Sequence, residues 1–128
     1  RAYMDAIPGL EDLVKDTRRV AERGSIRAID KRQIHVDKEH KALNCLLQGS
    51  AAVIAKRWLL LTDSKLRGFT HERYAFVHDE QILGAPLENA EYLCDVCKLS
   101  ALEAGEYYNL RLPIEADAQI GDNWAEVH

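Results

Sequence analysis

Several features that would define a class of protein by themselves are missing from this sequence of 128 residues. No uncharged apolar run is long enough to cross a bilayer, and the N-terminus has no signal-peptide pattern. Positive charge is not in excess, because the net charge is −4, which argues against a generic nucleic-acid binder. We therefore expect a soluble protein of the cytoplasm, without a membrane partner.

Cysteine is scarce, with three residues in the whole chain. An odd number without a secretory signal favours reduced thiols. Cys94 and Cys97 form a Cys-x-x-Cys pair, but no second pair and no matching histidine follow. Their spacing places both on one face of a predicted helix with Leu93 and Ala101, which predicts core packing rather than zinc binding or redox chemistry.

Charge is unevenly distributed along the chain. Residues 15–41 contain nine basic against five acidic side chains, a net of +4, whereas residues 79–128 contain eleven acidic against two basic, a net of −9. Such a division fits a basic half facing phosphates and an acidic half holding metal ions, and solvated helix surfaces produce it too. The chain starts at Arg1 rather than Met, so we expect a piece of a longer protein.

The most informative stretch runs from Tyr74 to Gly84. Strand-forming residues lead into His78, Asp79 and Glu80, and a second short run leads out again, which predicts an antiparallel hairpin with the three polar side chains at its tip. Adjacent carboxylates repel each other unless a cation lies between them, and Mg²⁺ prefers such ligands. The alternative is a solvated turn, where acidic residues are common for structural reasons.

A long helix is predicted over residues 38–63, with Asp37 as its N-cap. His40, Asn44 and Gln48 lie on it at four-residue steps, beside a broad apolar face. Three hydrogen-bonding side chains in one row can follow the acceptors that every base pair offers in the minor groove. A merely solvated helix edge would favour Lys and Glu at these positions.

The other patterns predict a single α+β domain. The expected fold is an antiparallel sheet, formed by the central hairpin and a last strand, and backed by two helices. The predicted elements are a helix end at 1–6, a helix at 10–23 stopped by Gly24, a hairpin of 25–29 with 32–36, the helix at 38–63, a helix at 87–104 stopped by Gly105, and the last strand at 110–117.

Three motifs together resemble family A DNA polymerases. Phe76-Val77-His78-Asp79-Glu80-Gln81-Ile82 is similar to motif C of that family. The run from His40 to Gly49 is similar to the helix that reads the template–primer minor groove, and Gly121 to His128 is similar to the C-terminal signature. Because His40 stands where bacterial enzymes usually carry Arg, the polymerases of small tailed phages fit better.

The resemblance implies a role for each matching residue. Asp79 is expected to bind catalytic metal, with Glu80 as a secondary carboxylate and His78 against the primer terminus. His40, Asn44 and Gln48 are expected to contact the minor groove. Arg32, and more weakly Arg27, are expected to contact the nucleic-acid backbone.

The resemblance also implies a domain and its partners. Residues 25–128 are expected to form the C-terminal part of a polymerase palm, with residues 1–24 as a helical lead-in from the fingers. The implied partners are template–primer DNA, deoxynucleoside triphosphates, two Mg²⁺ ions and the remaining polymerase subdomains. Motif A, with the second metal-binding Asp, and the nucleotide-binding fingers helix have no counterpart in this sequence. The chain alone is therefore expected to be inactive.

Two other functions stay open on the sequence. One is a non-catalytic module, derived from a split or decayed polymerase, that binds DNA or a partner chain. The other is a metal-dependent phosphohydrolase of the His-Asp type, suggested by His71 ahead of His78 and Asp79. Such sites lie on helices, whereas the residues around Asp79 are predicted to form strands.

Overall fold

A computed structural model describes residues 6–127 and divides into two compact units, the first ending at Val53 and the second beginning at Ile54. The predicted helix end at 1–6 therefore falls almost wholly outside the described residues. Within the described part, no helix is long and apolar enough to cross a membrane.

The first unit begins with helix α1, Leu10–Ala21. Acidic Glu11 and Asp12 in its first turn and basic Arg18 and Arg19 in its last turn complement the helix dipole. Val14, Thr17 and Ala21 form the buried side. The helix was predicted to extend to residue 23 and ends two residues earlier.

A short hairpin follows, with strands β1, Ser25–Arg27, and β2, Gln33–His35. Ile26 pairs with Ile34 in its centre, which confirms the predicted hairpin. Ala21, Ile26, Val36 and Ala42 make the core of this unit. A Cβ atom on Gly49 would lie 2.2 Å from Ile34 Cδ1, so glycine lets the hairpin approach the following helix closely.

The start of the long helix differs from the prediction. A 3₁₀ turn, Glu39–Lys41, precedes helix α2, Ala42–Lys65. The N-cap residue of the 3₁₀ turn is Lys38, whose side chain makes no capping hydrogen bond. Asp37 as N-cap was wrong. Its carboxylate instead lies 2.9 Å from His35 Nε2, so the side chain is directed to the end of β2.

The second unit contains the later half of α2, a second hairpin and helix α3. Strands β3, Glu72–Val77, and β4, Glu80–Gly84, are antiparallel, with a bulge between Arg73 and Ala75. Helix α3 spans Leu87–Tyr107. Leu66, Leu93 and Val96 form the core, with Leu83 and Ala85 packed against it, so α3 covers one face of the hairpin as predicted.

Gly105 does not stop α3. It is buried inside the helix, which ends two residues later, and Asn109 takes the left-handed conformation at φ 54°. A Cβ atom on Gly105 would lie 2.9 Å from Ile114 Cγ1, so glycine is needed here for close packing.

The last strand, predicted at 110–117, is not formed. The Leu110 amide donates to the Gly105 carbonyl over 3.2 Å, which ties this segment to the end of α3. Pro113 has no amide to offer a neighbouring strand. Within the described residues the two sheets are both two-stranded. The α+β class is confirmed, and the sheet is smaller than expected. A 3₁₀ turn, Trp124–Glu126, comes near the end of the chain.

We predict that Gly105→Ala destabilises the chain when residue 114 is Ile and stabilises it when residue 114 is Ala. In the natural sequence the new methyl must displace Ile114, an overpacking cost of about 1–3 kcal/mol that exceeds the helix-propensity gain of up to ~1 kcal/mol. In an Ile114→Ala background the nearest remaining atoms, the Cβ and the backbone nitrogen of residue 114, lie at an ordinary contact distance of 3.4 Å, so the same change should stabilise. Urea unfolding of the four proteins measures both effects. Equal effects of Gly105→Ala in both backgrounds would contradict the close approach.

Candidate functional site

The tip of the second hairpin brings His78, Asp79 and Glu80 together. Val77 pairs with Glu80, so His78 and Asp79 are the two residues of the turn. His78 has a φ of 54°, a left-handed conformation that non-glycine residues adopt at some cost. The predicted position of the three residues is confirmed.

The two carboxylates of the tip differ in exposure. The side chains of His78 and Asp79 are exposed, and Glu80 is half-buried. Within residues 6–127, no group of three or more His, Cys, Asp or Glu side chains is placed to hold a metal ion. The tip offers two adjacent carboxylates, and Mg²⁺ in proteins commonly takes the rest of its ligands from water and phosphate.

A chain of polar contacts joins the hairpin to α2. Arg73 on β3 forms an ion pair with Asp63 on α2, and its Nη1 donates to Gln81 Oε1 over 2.7 Å. Gln81 Nε2 in turn donates to Thr62 Oγ1 over 3.3 Å. We call Asp63, Arg73, Gln81 and Thr62 the hairpin network. It ties both strands to α2.

Trp58 adds an aromatic clamp to the same face. Its Nε1 donates to the Cys97 carbonyl over 2.8 Å, and its ring lies edge-on to Phe76 with centroids 6.3 Å apart. One side chain of α2 therefore contacts both β3 and α3. Burial of large aromatic surface with its polar atom paired makes such a contact strongly stabilising.

Cys97 lies at the end of the hairpin network. Burial raises the pKa of its thiol to about 11, with the neighbouring Cys94 adding to the effect. A hydrogen bond with Thr62 acts weakly in the other direction. The thiol is therefore neutral near pH 7. The cysteines of the described residues are free, as the sequence predicted.

The residues of the predicted minor-groove row lie in the first unit and are exposed. Asn44 and Gln48 are one turn apart on α2, and His40 lies in the 3₁₀ turn before it. The strict four-residue helical spacing therefore holds for Asn44 and Gln48 but not for His40. All three side chains can reach a ligand from solvent.

The two predicted backbone-contacting arginines are on the first hairpin. Arg27 is exposed at the end of β1, opposite Gln33. The Arg32 side chain is half-exposed, and its Nε donates to Asp30 Oδ2 over 2.6 Å. Because a guanidinium has five donors, this ion pair leaves Arg32 donors for a phosphate.

The sequence profile of DNA polymerase family A matches residues 3–126. This chain belongs to that family. It is 33% identical over 112 residues to the DNA-directed DNA polymerase of Enterobacteria phage T3 and 32% identical over 112 residues to that of Escherichia phage T7. These matches cover 80% of this chain but 16% of each phage polymerase. The chain is thus similar to a minor part of its relatives.

Solved structures agree with the family. The chain matches the polymerase domain of Pol1 from M. smegmatis, solved in complex with DNA primer-template and dNTP, with a TM-score of 0.79 and 25% identity. The match covers 88% of this chain and 22% of that one. A bacterial relative, the thermostable DNA polymerase I of Thermus aquaticus, is 30% identical over 118 residues. The described fold is that of part of a family A polymerase domain.

The hairpin network was not predicted from the sequence. One signal for it was present: Arg73 and Gln81 lie within strands whose neighbouring residues are mostly apolar. A polar side chain at a core-facing strand position needs a partner, so both residues indicated a buried polar contact. The partners on α2 could not be identified from spacing, because they come from a different element.

We predict that Cys97 makes the folded chain sensitive to alkali. The unfolded thiol ionises near its ordinary value of 9.0, whereas the folded thiol stays neutral up to about 11. The free energy of unfolding should therefore fall as pH rises between these values. Urea unfolding on either side of this range should show a smaller fall for Cys97→Ala than for the natural chain. Cys45→Ala is the control, and the same reduction in that variant would contradict the assignment to Cys97.

Proposed function

We propose that residues 25–128 form the C-terminal palm portion of a DNA-directed DNA polymerase, and that residues 1–24 are a helical lead-in from the fingers. The observation that carries the proposal is the His78-Asp79-Glu80 turn, in a chain whose family match covers residues 3–126. The proposed partners are template–primer DNA, deoxynucleoside triphosphates and the remaining polymerase subdomains. The proposed location is the cytoplasm, of the host cell if a phage encodes the chain.

The residues of the tip fit a Mg²⁺ ion in part. Asp79 is exposed and offers hard oxygen ligands, and the half-buried Glu80 lies next to it. We assign Asp79 as a direct metal ligand and Glu80 as a secondary carboxylate. When bound, two Mg²⁺ ions stabilise the charge that develops on the attacking and leaving oxygens during nucleotidyl transfer.

In that reaction, the residues of this chain position the primer terminus and the DNA duplex. His78, at the turn, lies against the primer terminus. Asn44, Gln48 and His40 donate hydrogen bonds to minor-groove acceptors and hold the duplex in register without reading its sequence, since those acceptors are common to all base pairs. Arg27 and Arg32 contact the phosphate backbone.

The geometry does not favour the phosphohydrolase. That alternative needs a His-Asp pair on a helix, and here His78 and Asp79 are the two residues of a β-turn. A non-catalytic binding module shares the duplex contacts of the polymerase proposal but requires no metal at Asp79. Metal binding at the tip is therefore the property that separates these two functions.

We predict that the salt dependence of DNA binding distinguishes neutral from charged duplex contacts. Gln48→Leu removes one neutral hydrogen-bond donor and should weaken binding of a blunt DNA duplex about five- to tenfold, with an unchanged salt dependence. Arg27→Ala removes a phosphate contact and should lower the slope of log K against log salt by about 1. Fluorescence anisotropy with a labelled duplex measures both.

Gln119→Leu is the matched control for this experiment, because Gln119 is also an exposed glutamine and lies outside the proposed duplex contact. It should bind as the natural chain does. Equal affinities of the Gln48→Leu and Gln119→Leu variants would remove Gln48 from the interface. Strong preference for one duplex sequence would argue against minor-groove positioning altogether.

We predict that this chain does not extend a primer by itself. Motif A and the nucleotide-binding fingers helix have no counterpart in the sequence, so neither the second metal-binding Asp nor a nucleotide pocket is supplied. A primer-extension assay with Mg²⁺ and all four nucleotides checks this, with the phage T7 polymerase as positive control. Incorporation at enzyme-like rates, abolished by Asp79→Asn, would show that the missing parts are dispensable.

A further inference from the structure

Arg73 occupies an unusual place for a charged side chain in a short hairpin. Its side chain is only 22% exposed, and it lies on a strand that contacts α2 through Asp63 and Trp58. It contacts Asp63 with one terminal nitrogen and Gln81 with the other. The planar fork of the guanidinium suits two acceptors at once, which a lysine ammonium on one flexible stem does not match.

Gln81 connects this arginine to the candidate site. It directly follows Glu80 in β4, and it pairs in the sheet with Phe76, two residues before His78. Its amide is held at both ends, by Arg73 over 2.7 Å and by Thr62 over 3.3 Å. Thr62 is fully buried in α2, so one anchor of the amide lies in the core of the unit. A side chain held in this way fixes the backbone next to Glu80.

Simple stabilisation is the other interpretation of these contacts. An ion pair with one half-exposed partner contributes little to global stability, and Asp63 is 51% exposed. The Gln81 end of the network directly follows Glu80 and is next to the turn that carries a strained His78, whereas Arg73 lies opposite Leu83 near the other end of the hairpin. Its effect is therefore expected at the turn rather than on the fold as a whole.

We infer that Arg73 is a positioning residue that holds the His78-Asp79-Glu80 turn in place through Gln81 and Thr62. This inference rests on the proposed function, in which Asp79 and Glu80 bind metal and His78 lies against the primer terminus. Asp63 balances the charge of Arg73 and leaves its second nitrogen directed at Gln81.

Coulomb interaction and positioning predict opposite effects of removing Arg73. A guanidinium repels a divalent cation, so if charge alone mattered, Arg73→Met would strengthen cation binding at Asp79 and Glu80. If Arg73 holds the turn in place, the same change should weaken binding, because the two carboxylates lose their fixed arrangement. The sign of the change separates the two roles.

The test uses amide hydrogen exchange of the 128-residue chain, followed by NMR. We expect the amides of Val77 and Glu80, which pair across the turn, to exchange about tenfold faster in Arg73→Met, while amides in the middle of α3 keep their rates. In Arg73→Lys the protection should be intermediate between the natural chain and Arg73→Met, since a lysine can keep the ion pair with Asp63 but cannot bind both acceptors. Unchanged exchange at the tip in folded Arg73→Met would overturn the inference.

Two further variants keep the test decisive. Lys65→Met removes the ion pair between Lys65 and Glu103, 2.9 Å apart, which joins α2 to α3 without contacting the hairpin network; it should leave the tip unchanged. Faster exchange at the tip in Lys65→Met, equal to that in Arg73→Met, would reduce the effect to general loosening and overturn the inference. If Arg73→Met does not fold, Thr62→Val removes one anchor of Gln81 while keeping the shape of the side chain. Unchanged exchange at the tip in that variant would overturn the inference equally.

A titration with Mn²⁺ then tests whether the position of the turn affects metal binding, as the proposed function requires. Paramagnetic broadening of the Asp79 and Glu80 amides should require several-fold more Mn²⁺ in Arg73→Met than in the natural chain, and should be absent in Asp79→Asn. Stronger binding in Arg73→Met would show that Arg73 acts by charge and would overturn positioning. Absence of broadening in the natural chain would contradict the proposed metal site, while hydrogen exchange would still decide the role of Arg73.

Discussion

The packing of the second unit depends on hydrogen bonds to polar side chains of the hairpin, because these side chains lie on the face that packs against the helices. Gln81 and Arg73 face α2 and α3 together with Leu83 and Phe76. Burying such groups without partners costs several kcal/mol, on the order of the whole stability of a small domain. Thr62 and Asp63 on α2 supply the partners at hydrogen-bond distance. The orientation of the hairpin is thereby set by directional contacts and not only by apolar packing.

This arrangement explains why so small a sheet can hold the His78-Asp79 turn in place. A two-stranded hairpin alone is marginally stable in water. Here Leu83 enters the apolar core, Trp58 contacts Phe76, and the hairpin network joins both strands to α2, through Arg73 near the open end and through Gln81 near the turn. Two adjacent carboxylates repel each other, and a turn that holds them in place must be supported from below. Apolar and polar contacts share that task.

Much of the fold could be predicted from the sequence, because local patterns determine it. The His78-Asp79 turn followed from two strand-forming runs around a polar centre, and the α+β class from helical periods on either side. The membership of family A followed from three ordered motifs, and the profile match confirmed it. The roles of Asp79, Glu80, His78, His40, Asn44, Gln48, Arg27 and Arg32 stay predictions that the structure makes testable.

Other predictions failed where tertiary contacts override local signals. Alternation at 110–117 is typical of a strand, but Ile114 packs on Gly105, and no strand within residues 6–127 pairs with the segment. Gly105 looked like a helix stop because glycine is common there, whereas its actual role is to make room. Asp37 had the composition of an N-cap, but a 3₁₀ turn separates it from α2. The close approach of Ile114 to Gly105 and the 3₁₀ turn after Lys38 are geometric features that residue composition and spacing do not reveal.

The bulge at Tyr74 has a consequence for how this hairpin can vary. Side chains alternate between faces along a regular strand, so Arg73 and Phe76, three positions apart, would point in opposite directions. The extra residue lets both face the helices, Arg73 across from Leu83 and Phe76 across from Gln81. Loss of Tyr74 would straighten β3 yet keep both side chains on the same face, whereas loss of Ala75 would also remove the outward partner of Ile82. Length variation among natural homologues is therefore expected at position 74 before any other position of this strand.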